Sequence, residues 1–144
     1  MQRYSYTIAI RIWHPSIDPE FITMALGIQP SHMSKAGDKR KTPKGTTLEG
    51  TYKESYWHAD PFDRGEYSST DDLIEDSVVE ILDVLEPKRE FFQKLRSEDA
   101  LVMLQISSFS GRNYAFQLPP IVLERLAATG LTLAHDVYPY AQNW

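Results

Sequence analysis

The sequence predicts an α+β domain: a two-layer sandwich with a mixed, mostly antiparallel sheet of about five strands and helices on one face, ferredoxin-like in part. Three observations predict it. Residues 4–13 alternate, with Tyr4, Tyr6, Ile8, Ile10 and Ile12 on one side and Ser5, Thr7, Ala9, Arg11 and Trp13 on the other. That period of two marks a strand with one buried and one partly wet face, unlike the doubly apolar strands of a buried parallel sheet. Residues 71–85 place Ile74, Val78, Ile81, Leu82 and Leu85 on one helical face,. The remaining patterns complete an order of strand, helix, strand, two helices, two strands, helix and strand.

Each element has a local reason. After the first strand, Asp18 suits an N-cap and Pro19 the first helical position, where its missing N–H costs nothing,. Phe21, Ile22, Ala25 and Leu26 follow at helical spacing, and Gly27 suits a left-handed stop,. Residues 31–50 lack periodicity and read as a long mobile loop,. A second strand is expected at 51–58, then an acidic loop at 59–69. Ser69 or Thr70 would cap the helix at 71–85, and Pro87 ends it. A short helix at 88–96 presents Phe91, Phe92 and Leu95. Residues 100–107 are nearly all apolar and are expected at the centre of the sheet,. Residues 109–112 suit a hairpin turn, with Gly111 at positive φ, leading to a strand at 113–118,. Pro119 and Pro120 start the last helix, Gly130 stops it, and 131–138 form the last strand. The tail 139–144 either packs or frays.

The composition suits one soluble domain over 1–144: 144 residues, 42% hydrophobic and 24% charged,. The absence of cysteine excludes disulfides, thiol nucleophiles and Cys-ligated metals,. The alternating N-terminus lacks the apolar core of a signal peptide, and no apolar run approaches the roughly 20 residues needed to span a bilayer. A cytoplasmic protein without membrane contact is expected.

The start of the chain and several later positions form a recognisable set. They are Asp18-Pro19-Glu20-Phe21-Ile22-Thr23-Met24-Ala25-Leu26-Gly27-Ile28-Gln29-Pro30, then Lys35-Ala36-Gly37, Trp57 in a strand, and Asp136-Val137-Tyr138 after a helix and glycine. The set resembles the bacterial domain-of-unknown-function family 4279 over nearly the whole chain. The resemblance implies a small bacterial protein of one α+β domain. It implies no reaction or cofactor and assigns no role to Thr23, Leu26, Gly27, Pro30, Lys35, Gly37 or Trp57.

Charge is segregated. The net charge is -5, yet residues 35–44 hold five basic side chains and one acidic. Residues 60–86 hold ten acidic side chains and one basic. Lys35, Lys39, Arg40, Lys41 and Lys44, with Trp57 nearby, are candidates for holding an anion or a partner,. Tyr52, Tyr56 and Phe62 add rings that would suit a single-strand platform, or equally the core,. Asp71, Asp72, Glu75 and Asp76 could face a basic partner, or simply complement a helix N-terminus,. The bland reading of both runs is solvated surface.

Catalytic patterns are sparse. No P-loop, G-x-S-x-G or EF-hand pattern is present, and His14, His32, His58 and His135 lack metal spacing,. Ser107, Ser108 and Ser110 suit turn chemistry. His14 and His58 each follow a Trp at a strand end, where neighbouring strands could bring them together. His58 and Asp60 could form a base–orienter pair,. The leading expectation is a binding module without metal or cofactor, of immunity or regulatory type, whose partner is another protein. Nucleic-acid or nucleotide binding through 35–44 is the first alternative, and a small enzyme using His58 and Asp60 the second.

Overall fold

The computed structural model describes residues 2–140. β1 (Ser5–His14), β5 (Ser55–Ala59) and β7 (Leu101–Phe109) form the middle of a six-stranded mixed sheet. β2 (His32–Ser34) lies outside β5, β8 (Thr132–Tyr138) outside β7, and the two-residue β6 (Tyr67–Ser68) pairs with the start of β1. The order is β2-β5-β1-β7-β8, with β7 and β8 parallel and the remaining pairings antiparallel.

The alternation in β1 sets the layers. Tyr4, Tyr6, Ile8, Ile10 and Ile12 are buried in one continuous core with Trp57, Val102, Leu104 and Ile106. α1 (Glu20–Leu26), α2 (Ile74–Leu85), α3 (Arg89–Ser97) and α4 (Pro120–Thr129) cover that side. Each helix contributes buried residues: Ile22 and Leu26, the full Ile74–Leu85 stripe, Phe92 and Leu95, and Val122 and Leu126. Arg11, Trp13, Tyr56 and His58 occupy the other phase and remain partly exposed. The sheet therefore has one helix-covered face and one open face.

Local chemistry places the helix ends. Asp18 Oδ1 accepts a hydrogen bond from the Glu20 N–H at 3.0 Å, and Gly27 closes α1 at φ 67°. α2 starts at Ile74, three residues later than the sequence suggests. Ser69 does not cap it, because its hydroxyl accepts the Tyr4 N–H just before β1, and Thr70 pairs with Ser68. A 3₁₀ turn at Glu86–Lys88 joins α2 to α3.

Three expectations need correction. Residues 31–50 are not a structureless loop: they contain β2 and a separate hairpin of β3 (Lys39–Lys41) and β4 (Thr47–Thr51). The expected strand at 51–58 is divided accordingly. Thr51 ends β4, residues 52–54 turn, and β5 starts at Ser55. Residues 113–118 form no strand, and Gly111 is not among the positive-φ glycines. No hairpin follows β7. The chain instead crosses over through α4, as a parallel partner strand requires. Tyr114, Phe116 and Leu118 still alternate because they lie against the core as an extended segment without a ladder. Tyr140 packs on Phe109 and Tyr138, and the rest of the expected tail lies outside the described residues.

Candidate functional site

The open face gathers side chains from four strands. The β1–β5 register sets Trp13 opposite Tyr56 and Arg11 opposite His58, and β2 adds His32 opposite His58. Arg11 organises the group. Its guanidinium lies 4.6 Å from the Trp13 ring centre and 5.4 Å from that of Tyr56. Its Nε donates to the Tyr56 hydroxyl at 2.7 Å and its Nη1 to Gln105 Oε1 at 2.6 Å. Both acceptors are neutral, and no carboxylate ion-pairs with Arg11 among the described residues. Burial, then Arg11, then His32 push the His58 imidazole below its ordinary pKa.

The β3–β4 hairpin stands beside this face. Tyr52 braces it: the hydroxyl accepts the Lys41 N–H at 3.2 Å, and the Tyr52 N–H donates to the Asp38 carbonyl at 2.9 Å. Between hairpin and sheet lies a cleft of about 680 Å³. Trp13, His32, Tyr52 and Tyr56 supply its rings, Arg40 and Lys53 its cations, and Glu54 one carboxylate. That volume is within the usual range for small-ligand clefts.

The basic candidates divide by position. Lys39, Arg40 and Lys41 are exposed on β3 and Lys44 lies in the hairpin turn, none of them ion-paired among the described residues. Lys35 approaches Asp18 at 3.9 Å, across two half-exposed side chains. Trp57 is not a surface residue. It is 0% exposed on the helix-covered face, and its Nε1–H donates to Thr23 Oγ1 at 3.0 Å. The ring that reaches the cleft from the neighbouring strand is Trp13. Its signal in the sequence was its place in the outward phase of β1, two residues after Arg11.

The acidic candidates stay at the start of α2. Asp71, Asp72 and Asp76 are exposed, while Glu75 Oε2 accepts the Gln117 N–H at 3.3 Å. No ion pair joins them to the basic hairpin among the described residues.

The histidines do not form the expected pairs. β1 and β5 are neighbours, but their register sets His14 opposite Ser55 and His58 opposite Arg11. His14 is buried on the helix-covered side, where its Nδ1 accepts the Ser16 and Ile17 N–H groups and its Nε2 faces Glu98 at 3.0 Å. Asp60 does not orient His58: Oδ2 accepts the Gly65 N–H at 2.7 Å and Oδ1 the Phe62 N–H at 3.4 Å. His58 Nδ1 meets Ser31 Oγ at 2.6 Å instead.

Two further polar arrangements were not legible beforehand. Ser108, Tyr114 and His135 share a hydrogen-bonded cluster, with Ser108 Oγ 2.6 Å from His135 Nε2. Ser108 is fully buried, so its hydroxyl links the crossover to β8 and is not presented to a substrate. A larger hollow, about 790 Å³, separates α1 from α3 and is lined by Phe21, Met24, Phe91 and Leu95. Its polar lining includes Lys94, Glu98 and His14, and both His14 nitrogens are engaged with the protein, one of them facing Glu98. In the open-face cleft two cations, Arg40 and Lys53, meet four rings, with Arg11 against Trp13 and Tyr56.

Among the described residues, no cluster of His, Cys, Asp and Glu could hold a metal ion, and no helix is long and apolar enough to cross a membrane. No curated protein and no solved structure matches the chain. A family model does match, over residues 4–140: the domain of unknown function DUF4279. The chain belongs to that family.

Proposed function

We propose that this domain is a non-catalytic binding module that captures an anionic partner on its open sheet face and basic hairpin. Arg11 is the observation that carries the reading. A half-buried guanidinium held by neutral acceptors keeps an uncompensated charge, and desolvation makes a later anionic contact stronger than it would be in water,. Arg40 and Lys53 add positive charge on the cleft walls, and Lys39, Lys41 and Lys44 extend the field beyond them,. Against catalysis by His58 stands the diversion of Asp60 into its own loop.

The test is a titration with heparin, a polyanion, at low and high salt. Capture at low salt that weakens steeply with salt supports the reading, and joint replacement of Lys39, Arg40 and Lys41 by Gln should abolish it. Heparin binding that is absent at low salt, or indifferent to those replacements, overturns it.

A second reading places a basic protein partner on Asp71, Asp72 and Asp76. What favours it is that these carboxylates are exposed and free of ion pairs with the hairpin. It requires a captured protein whose affinity collapses in the Asp71→Lys, Asp72→Lys, Glu75→Lys variant. An unchanged affinity removes it.

A further inference from the structure

The open-face cleft holds more than charge. A partner recognised only as an anion needs cations, and the exposed lysines of β3 supply them. The rings of Trp13, His32, Tyr52 and Tyr56 would be idle against such a partner, yet they line one cleft, two of them in contact with the Arg11 guanidinium, whose hydrogen-bond acceptors are neutral. Flat π surfaces next to cations suit a ligand that is planar at one end and anionic at the other.

Glu54 adds a direction. Its carboxylate lies on the cleft wall with Tyr52, Lys53 and Tyr56. Against that carboxylate a base amino group could donate, whereas a phosphate would be repelled and drawn instead toward Arg40 on β3 and Lys53,. The ring of the ligand therefore belongs inside, and the phosphate outside along β3, where Lys39 and Lys41 are exposed. A duplex cannot enter in this way, because its bases are stacked on one another and present only their edges.

We propose that the cleft takes an unstacked base of single-stranded nucleic acid, seated against Trp13 and Tyr56, with the adjoining phosphates on the β3–β4 hairpin. This inference rests on the anion-binding reading above and narrows it to one class of partner.

The experiment is fluorescence anisotropy with labelled single-stranded oligonucleotides of about 12 nucleotides. The matching duplex and polyglutamate of equal charge are run beside them, at about 50 and 200 mM salt. Single strands should bind best. Trp13→Leu and the exposed His32→Ala should each weaken single-strand binding, the former by roughly 5- to 100-fold, with the salt slope unchanged. Lys39→Ala should lower that slope by about 0.7. His32→Ala keeps the test valid if Trp13→Leu impairs folding. Equal binding of polyglutamate or duplex, with both ring variants neutral, overturns base recognition but leaves the anion-binding reading standing. No binding to any of the three probes at low salt overturns both.

Discussion

Arg11 and Trp13 lie on one strand, two residues apart, and the Arg11 guanidinium covers the Trp13 ring at 4.6 Å. The contact fixes a cation on an open sheet face without a carboxylate to neutralise it. Arg11 also depresses the proton affinity of His58, after the larger effect of burial. In Arg11→Gln the His58 imidazole should titrate at a higher pH, still below its ordinary value because burial remains. An NMR titration of the His58 ring reads this directly, and an unmoved titration would show that the guanidinium does not act on it.

His58 and His135 are both pushed downward, chiefly by burial. Each binds its proton less readily in the folded than in the unfolded chain. As pH falls through the ordinary imidazole value of about 6.5, the unfolded chain takes up protons first, so stability declines and goes on declining until the folded pKa is passed. Urea midpoints measured between about pH 7.5 and 5 should fall with pH, and less steeply in the His58→Gln, His135→Gln variant. An identical slope in the variant would assign the acid sensitivity to groups other than His58 and His135.

Trp57 belongs to the core, and its replacement should show it. Trp57→Ala removes a fully buried ring and leaves the Thr23 hydroxyl without its indole donor. The expected loss is about 3–5 kcal/mol in chemical denaturation. A loss under about 1 kcal/mol, the range of surface changes, would place the ring outside the core.

The two glycines near the crossover should respond in opposite ways. Gly130 has φ 84°, and a Cβ there would come within 3.0 Å of Arg96 Nη1. Gly130→Ala should therefore cost at least about 1–2 kcal/mol. Gly111 has no positive φ and open space around its Cβ position. Gly111→Ala should be neutral or stabilise by about 0.4–1 kcal/mol, through a less flexible unfolded chain. A destabilised Gly111→Ala would restore the tight hairpin that the sequence suggested.

The difference between what could be read and what could not follows from burial. β1 and α2 were legible because each has one buried face, and burial is what imprints a period of two or 3.6,. The hairpin was not, because every residue of β3 and β4 is exposed and neither strand carries an alternation. Residues 113–118 erred the other way. Tyr114, Phe116 and Leu118 record a buried side, which an extended segment acquires with or without a ladder.

The site was divided along the same line. Lys39, Arg40 and Lys41 announced themselves as a charge run. The tryptophan beside them depended on strand phase, which a one-residue shift inverts. With Tyr52 in a turn and Ser55 buried, residues 51–58 offered no clean phase, so Trp57 stood where Trp13 belongs.

β1 precedes every other strand of its sheet and is the innermost, yet its partners β5 and β7 begin at Ser55 and Leu101. During synthesis its Ile8, Ile10 and Ile12 leave the ribosome with only α1 close behind, well before α2, α3 and the partner strands. Pairing waits for Ser55 on one side and Leu101 on the other and must close long intervening loops, which slows folding relative to domains built from local contacts,. The strand that ends up most protected is the one exposed longest as a nascent chain, and it is there that a chaperone would have most to hold.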